Sequence, residues 1–200
     1  MSDTAQSRTL PVRPVGHKAS GWWGLVMLIA TEAGLFIYLL FSYFYLALQH
    51  VGPWPVSGPP ALTLALPNTF VLLLSSGFAW WGQKGIEQGK AHRLRLGLLI
   101  AFLLGAAFMT IQGFEWHNKS FTPSTNSYAS LYFTVTGIHM MHVAIGIIIL
   151  GALFIWSMMN RFTAKRHIHV TLGIIYWHFV DVVWLAVFAT FYLTPRLGFP

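Results

Sequence analysis

The chain has 200 residues, 56% of them hydrophobic and only 8% charged, with a formal charge of +7. Soluble domains carry about 25% charged residues, so this composition describes a membrane protein. With no cysteine, disulfides, thiolate-held zinc, iron–sulfur clusters and thiol nucleophiles are excluded, and cationic residues confined to short connecting segments exclude nucleic acid as a partner.

Met1 to Ser20 is polar and lacks the layout of a signal peptide, so residues 1–21 read as a cytoplasmic tail. Five apolar segments follow, giving expected helices at about 22–48, 64–82, 94–114, 129–159 and 170–193. Each reaches or nearly reaches the roughly 20 residues that a spanning helix needs. The fold class expected is an all-α bundle of five transmembrane helices in one domain, residues 22–193, with an outer tail at 194–200. Gly52-Pro53-Trp54-Pro55 and Gly58-Pro59-Pro60 break the chain after the first helix, and the turn-rich run Thr122 to Ser127 precedes the fourth. There is no internal repeat.

Orientation follows from the cations. Arg8, Arg13 and Lys18 precede the first helix; Lys84, Lys90, Arg93 and Arg95 lie between the second and third; Arg161, Lys165 and Arg166 lie between the fourth and fifth. Only Lys119 and Arg196 fall on the other side. The positive-inside rule then puts the N-terminus in the cytoplasm and the C-terminus outside, the parity that five spans require. Trp22-Trp23 reads as an interfacial anchor. Arg161, Lys165 and Arg166 set orientation, with anionic lipid headgroups as a second role.

Several ionisable residues lie deep in the spans. Glu32 is about ten residues into the first helix, roughly 15 Å from its start, with His139 at similar depth in the fourth and His142 one turn away. In the fifth, His178 and Asp181 lie roughly 12 and 16 Å deep on one face. Glu115 sits near the outer end of the third. A carboxylate at mid-membrane costs roughly 2.5–3.5 kcal/mol even on the lenient insertion scale, so Asp181 must face protein and have a partner.

The depths allow His139, His142, His178 and Asp181 to meet between the last two helices. His139, His142 and Asp181 form a conceivable two-histidine, one-carboxylate metal set, and two of the histidines a bis-histidine haem site. Histidines three apart are common, and no basic residue at that depth is placed for a haem propionate, so interhelical hydrogen bonding is the preferred reading. Glu32 reads either as a proton relay or, preferably, as a packing or lipid-headgroup contact. Gly97, Gly105, Gly137, Gly146 and Gly151 suit close helix contact, or neutral lipid-facing positions.

Tyr176–Trp184 (YWHFVDVVW), Thr136–Val143 (TGIHMMHV), Thr31-Glu32 with its aromatic-rich helix, and Gln112-Gly113-Phe114-Glu115 resemble subunit III of haem–copper terminal oxidases in order and spacing, from Gly24 to Tyr192. The chain looks like the five-helix bacterial form. The resemblance implies a subunit of the bacterial cell membrane with no haem or copper of its own; those groups belong to partner subunits. It implies docking on subunit I beside subunit II, support of proton uptake, and phospholipid held in a cleft between the first two helices and the rest. By motif position, Glu32, Glu115, His139, His142, His178 and Asp181 match the family's buried polar residues, and Glu32 and Arg161 are possible lipid contacts. Trp156 stands where many relatives have Arg, and Thr171 where they have Glu, which puts their headgroup contacts in doubt. A similar subunit serves quinol oxidases, and related accessory proteins accompany nitric oxide reductases. A proton-coupled transporter using Glu32 and Asp181, or a free-standing b-type cytochrome, are the readings from other classes.

Overall fold

In the computed structural model, which describes residues 20–198 apart from Val56, Ser57 and Pro59, five long helices hold most of the described residues. They are α1 (Ser20–Gln49), α2 (Leu62–Glu87), α3 (Ala91–His117), α4 (Ser127–Met158) and α5 (Ile168–Phe188). Helical winding continues past α5 as a π-helical turn, Ala189–Leu193, and a 3-10 turn, Thr194–Arg196. All five are long and apolar enough to cross a membrane. The N-terminal tail with Arg8, Arg13 and Lys18 lies outside the described residues, as does the end of the C-terminal tail.

Helix and apolar stretch do not coincide. Hydropathy marks where hydrocarbon ends, whereas a helix stops where its terminal carbonyls find other donors. Thus α2 continues past its apolar run, and Glu87 there accepts from Lys84 at 2.8 Å and from Gln83 at 3.2 Å. It stops at Gly89, whose φ of +76° lets Lys90 N–H reach the Gly85 carbonyl at 2.8 Å and Gly89 N–H that of Ile86 at 2.9 Å. That paired closure is a Schellman motif. The same closure ends α4 at Asn160, with Arg161 N–H on the Trp156 carbonyl at 3.2 Å. The other end of α4 is capped by Asn126, whose side chain accepts from Ala129 N–H at 2.8 Å.

The Gly89 turn folds α2 and α3 into a hairpin whose backbones nearly touch. A methyl group on Gly97 would lie 2.6 Å from the Phe78 carbonyl oxygen and 2.7 Å from Gly82 Cα. Helix α4 packs on α3, α5 packs on α4, and α5 returns to α2 and closes a four-helix ring. Helix α1 lies outside that ring against α4 and α5. Only 6% of its most apolar stretch is buried, against 56% for the last span.

Trp177 fills the middle of the ring. Its indole is wholly buried and slots between Gly105 of α3 and Gly146 of α4, where an added methyl would come within 2.8 Å and 2.6 Å of the ring. Gly151 admits the Phe102 ring, whereas Gly137 meets only Trp116, at 3.9 Å. Gly97, Gly105 and Gly146 are therefore contact glycines.

Gly146→Ala should destabilise the fold by about 1–3 kcal/mol, because the indole it displaces has no free side to move into. Gly34→Ala, with nothing within 4 Å of the new methyl, should be neutral. Midpoints of SDS-induced unfolding in detergent give the comparison; equal midpoints for the two variants would contradict this packing.

Candidate functional site

Apart from His139, the ionisable side chains deep in the spans separate into three groups, each on a different seam. The first joins α2 to α5. Ser76 donates its hydroxyl to Asp181 Oδ2, and its oxygen lies 2.8 Å from His178 Nδ1. A hydroxyl has one proton to give; with it committed to the carboxylate, the His178 contact requires Nδ1–H to donate to Ser76. At the adjoining residues, Trp177 Nε1–H donates to Ser75 Oγ at 3.0 Å, and farther along Trp184 Nε1–H donates to Thr69 Oγ1 at 3.0 Å. Ser75 and Thr69 pass their own protons to helix carbonyls, those of Leu72 at 2.6 Å and Ala65 at 2.8 Å. One wall of α2 thus serves four polar groups of α5.

The second group joins α1 to α4. His142 Nε2 lies 3.0 Å from Glu32 Oε2, and its Nδ1 lies 2.8 Å from the Ile138 carbonyl. A carbonyl can only accept, so Nδ1 carries a proton and the Glu32–His142 contact shares one more. Glu32 keeps 31% of its side chain exposed, whereas His142 keeps 6%. The exposed part of Glu32 opens into a cavity of about 530 Å³ between α1 and the α4–α5 pair, with Tyr176, Trp156 and His169 also in its wall. A second cavity of about 560 Å³ shares Trp156 and His169 and adds Arg161, Lys165 and Arg166. An apolar cleft thus adjoins a basic pocket at the end of the bundle where α4 stops and α5 starts.

The third group lies at the opposite end. Glu115 Oε1 accepts from Lys119 Nζ at 2.8 Å and from Tyr192 OH at 2.6 Å, and Tyr132 OH lies 2.8 Å from Tyr192 OH. The Lys119 ammonium sits 5.0 Å from the Tyr132 ring centre, a cation–π contact. Helices α3, α4 and the turn after α5 are joined there by one carboxylate.

His139, His142, His178 and Asp181 do not form the single cluster that their depths allow. Three residues turn a helix by about 300°, so His139 and His142 point apart by about 60°. His142 reaches α1. His139 is fully buried, stacked on Trp184 with ring centres 5.0 Å apart and edge-on to Phe36 and Phe108, and neither of its nitrogens has a hydrogen-bond partner. His178 and Asp181 turn to α2. Among the described residues, no three His, Cys, Asp or Glu side chains converge to hold a metal ion. The division of the first two helices from the rest, implied by resemblance, is not found: α2 is bound to α3 and α5, so α1 alone forms the far wall of the apolar cavity.

Sequence reading missed Thr69, Ser75 and Ser76, and it treated Lys119 as an orientation charge alone. The signal was present: three hydroxyl side chains within eight residues of a Leu-rich helix, Thr69 and Ser76 on one face with Ser75 beside it, and a Glu–Lys pair four apart.

Five apolar helices whose polar groups are set into their seams define a multi-pass membrane protein. Residues 15–195 match the family model described as cytochrome c oxidase subunit III. Cytochrome c oxidase subunit 3 of Homo sapiens is 34% identical over 177 residues, covering 85% of this chain and 68% of the relative. That of Mammuthus primigenius is 35% identical over 201 residues, covering 94% and 74%, and that of Triticum aestivum 33% over 177 residues, covering 85% and 67%. The chain belongs to the cytochrome c oxidase subunit III family.

Ser76→Ala removes the donor to Asp181 and the acceptor for His178 together. It should cost about 1–3 kcal/mol, the range for buried polar groups left unpaired, and more than the roughly 0.6 kcal/mol of an average interhelical bond. Ser76→Thr should restore most of it. Detergent unfolding of the three forms measures this, and wild-type stability in Ser76→Ala would remove Ser76 from the seam.

Proposed function

We propose that the chain is the non-redox subunit III of a proton-pumping haem–copper oxygen reductase of the cytochrome c oxidase type. It docks on subunit I, which with subunit II supplies the haems and copper, and it stabilises subunit I and sustains proton uptake there. Its place is the bacterial plasma membrane, N-terminus in the cytoplasm. The observation that carries this reading is the family match over residues 15–195. Its ionisable groups also fit a scaffold: they are shared out among three helix seams instead of being gathered around one centre.

Phospholipid is the ligand that the cleft suits. Its wall is largely apolar, as an acyl chain requires, and the adjoining pocket holds Arg161, Lys165 and Arg166, the cations that a headgroup phosphate attracts at an interface. Trp156, which takes the position of an arginine in many relatives, lies between the two and leaves Arg161 to supply the charge.

Affinity purification on this chain should bring down haem-bearing subunits that reduce oxygen. Asp181→Ala should lower the amount of chain III retained in that complex several-fold, while the complexes that keep it turn over normally at first. An Asp181→Ala complex with every subunit in place yet inactive from its first turnover would contradict a scaffold role. Arg161→Ala combined with Lys165→Ala and Arg166→Ala should lower tightly bound phospholipid per complex, counted by mass spectrometry after delipidation; unchanged lipid would remove the basic pocket from lipid binding.

A further inference from the structure

His178 is more open than the other paired ionisable side chains deep in the spans, Glu32 at 31% and His142 at 6%. Its partner Asp181 is 5% exposed in its side chain and Ser76 is nearly buried, yet 39% of the His178 side chain stays open. It lies ten residues inside α5, and Ser76 lies fourteen residues from one end of α2 and eleven from the other, so this opening is at mid-bilayer. Besides Asp181 Oδ1, which is buried without a partner, the proton count leaves one ring atom of His178 without a role. With Ser76 donating to Asp181, it receives the hydrogen of His178 Nδ1, so the neutral ring has a lone pair on Nε2 that no side chain among the described residues bonds. Acyl chains offer no donor. Around it the surface is apolar: at helical spacing from His178, Val182 is 63% and Leu185 40% exposed, and at the same spacing from Ser76, Trp80 is 55% and Leu73 38% exposed.

We infer that the α2–α5 face centred on His178 is the seat of a transmembrane helix from another subunit, which places a side-chain O–H or N–H donor on His178 Nε2. The inference rests on the oxidase reading and names the face through which that assembly is made. Hydrogen-bond complementarity selects the occupant: a lipid tail leaves the acceptor bare, and an acceptor-only group meets lone pair with lone pair. The bond ends a relay that runs from the partner's donor through His178 and Ser76 to Asp181, so the register of the incoming helix is fixed by a buried group of this chain. The apolar cavity lined by Glu32 lies on the α1–α4 side and remains free for lipid.

The test uses the intact complex, first shown to contain haem-bearing subunits, so that failure of the oxidase reading is seen at that step and separately. A photoactivatable benzoyl-phenylalanine is introduced at Val182, or at Leu185 where the first variant does not assemble. Irradiation should give a covalent adduct to a helix of another subunit. The adduct peptide should contain a Ser, Thr, Asn, Gln, Tyr, Trp, Lys or Arg within one helical turn of the cross-linked residue. His178→Phe, which keeps a ring and loses the acceptor, should speed loss of chain III from the complex about threefold, the size expected for one interhelical hydrogen bond. His178→Gln, with an amide oxygen as acceptor, should restore retention. Adducts to phospholipid or within the chain only, at both positions, would overturn the inference, as would an adduct helix with no donor in that turn.

Discussion

Hydrocarbon supplies no hydrogen bonds, so each polar atom that this chain carries into the membrane has to be met by another part of a protein. The wall of α2 formed by Thr69, Ser75 and Ser76 discharges most of that requirement for α5. Because the hydroxyls sit on a helix that is itself clamped backbone to backbone against α3 at Gly82 and Gly97, their positions are set by the α2–α3 hairpin. The two indoles and the carboxylate can then be satisfied in only one rotation of α5. A helix that was purely apolar would slide or turn among many equivalent packings; these bonds make the register specific while adding little to stability.

Five spans, their order and their deep polar residues are all legible from residue type and spacing, since depth along a helix follows from counting. What counting cannot give is azimuth relative to neighbours. The assignment of His139, His142, His178 and Asp181 to one cluster used depth alone. The true arrangement depends on which helices adjoin, and that is set by contacts as particular as the indole of Trp177 between Gly105 and Gly146. With that space filled by a ring, α4 and α5 have no room for a polar cluster between them. The hydroxyls of α2 escaped notice for a related reason. Serine and threonine in a spanning helix usually bond their own backbone, and Ser75 and Thr69 do so as well; their second role appears only once the indole donors are in place.

Helix α1 makes the converse case. With 6% of its most apolar stretch buried, it has little packing to define its rotation, and the Glu32–His142 contact is a hydrogen-bonded tie between side chains to the ring. One such bond, with Phe36 edge-on to His142 at 5.2 Å and Tyr43 fully buried farther along, fixes which face α1 turns inward. It leaves the flank at Gly24, where an added methyl would meet nothing within 4 Å, as part of the wall of the apolar cavity. A carboxylate at mid-span that is one-third exposed to a lipid-accessible space is costly, and a helix held by packing alone would turn it away. The imidazole of His142 holds it there, so the two side chains that tie α1 to α4 also line the cavity between α1 and the α4–α5 pair.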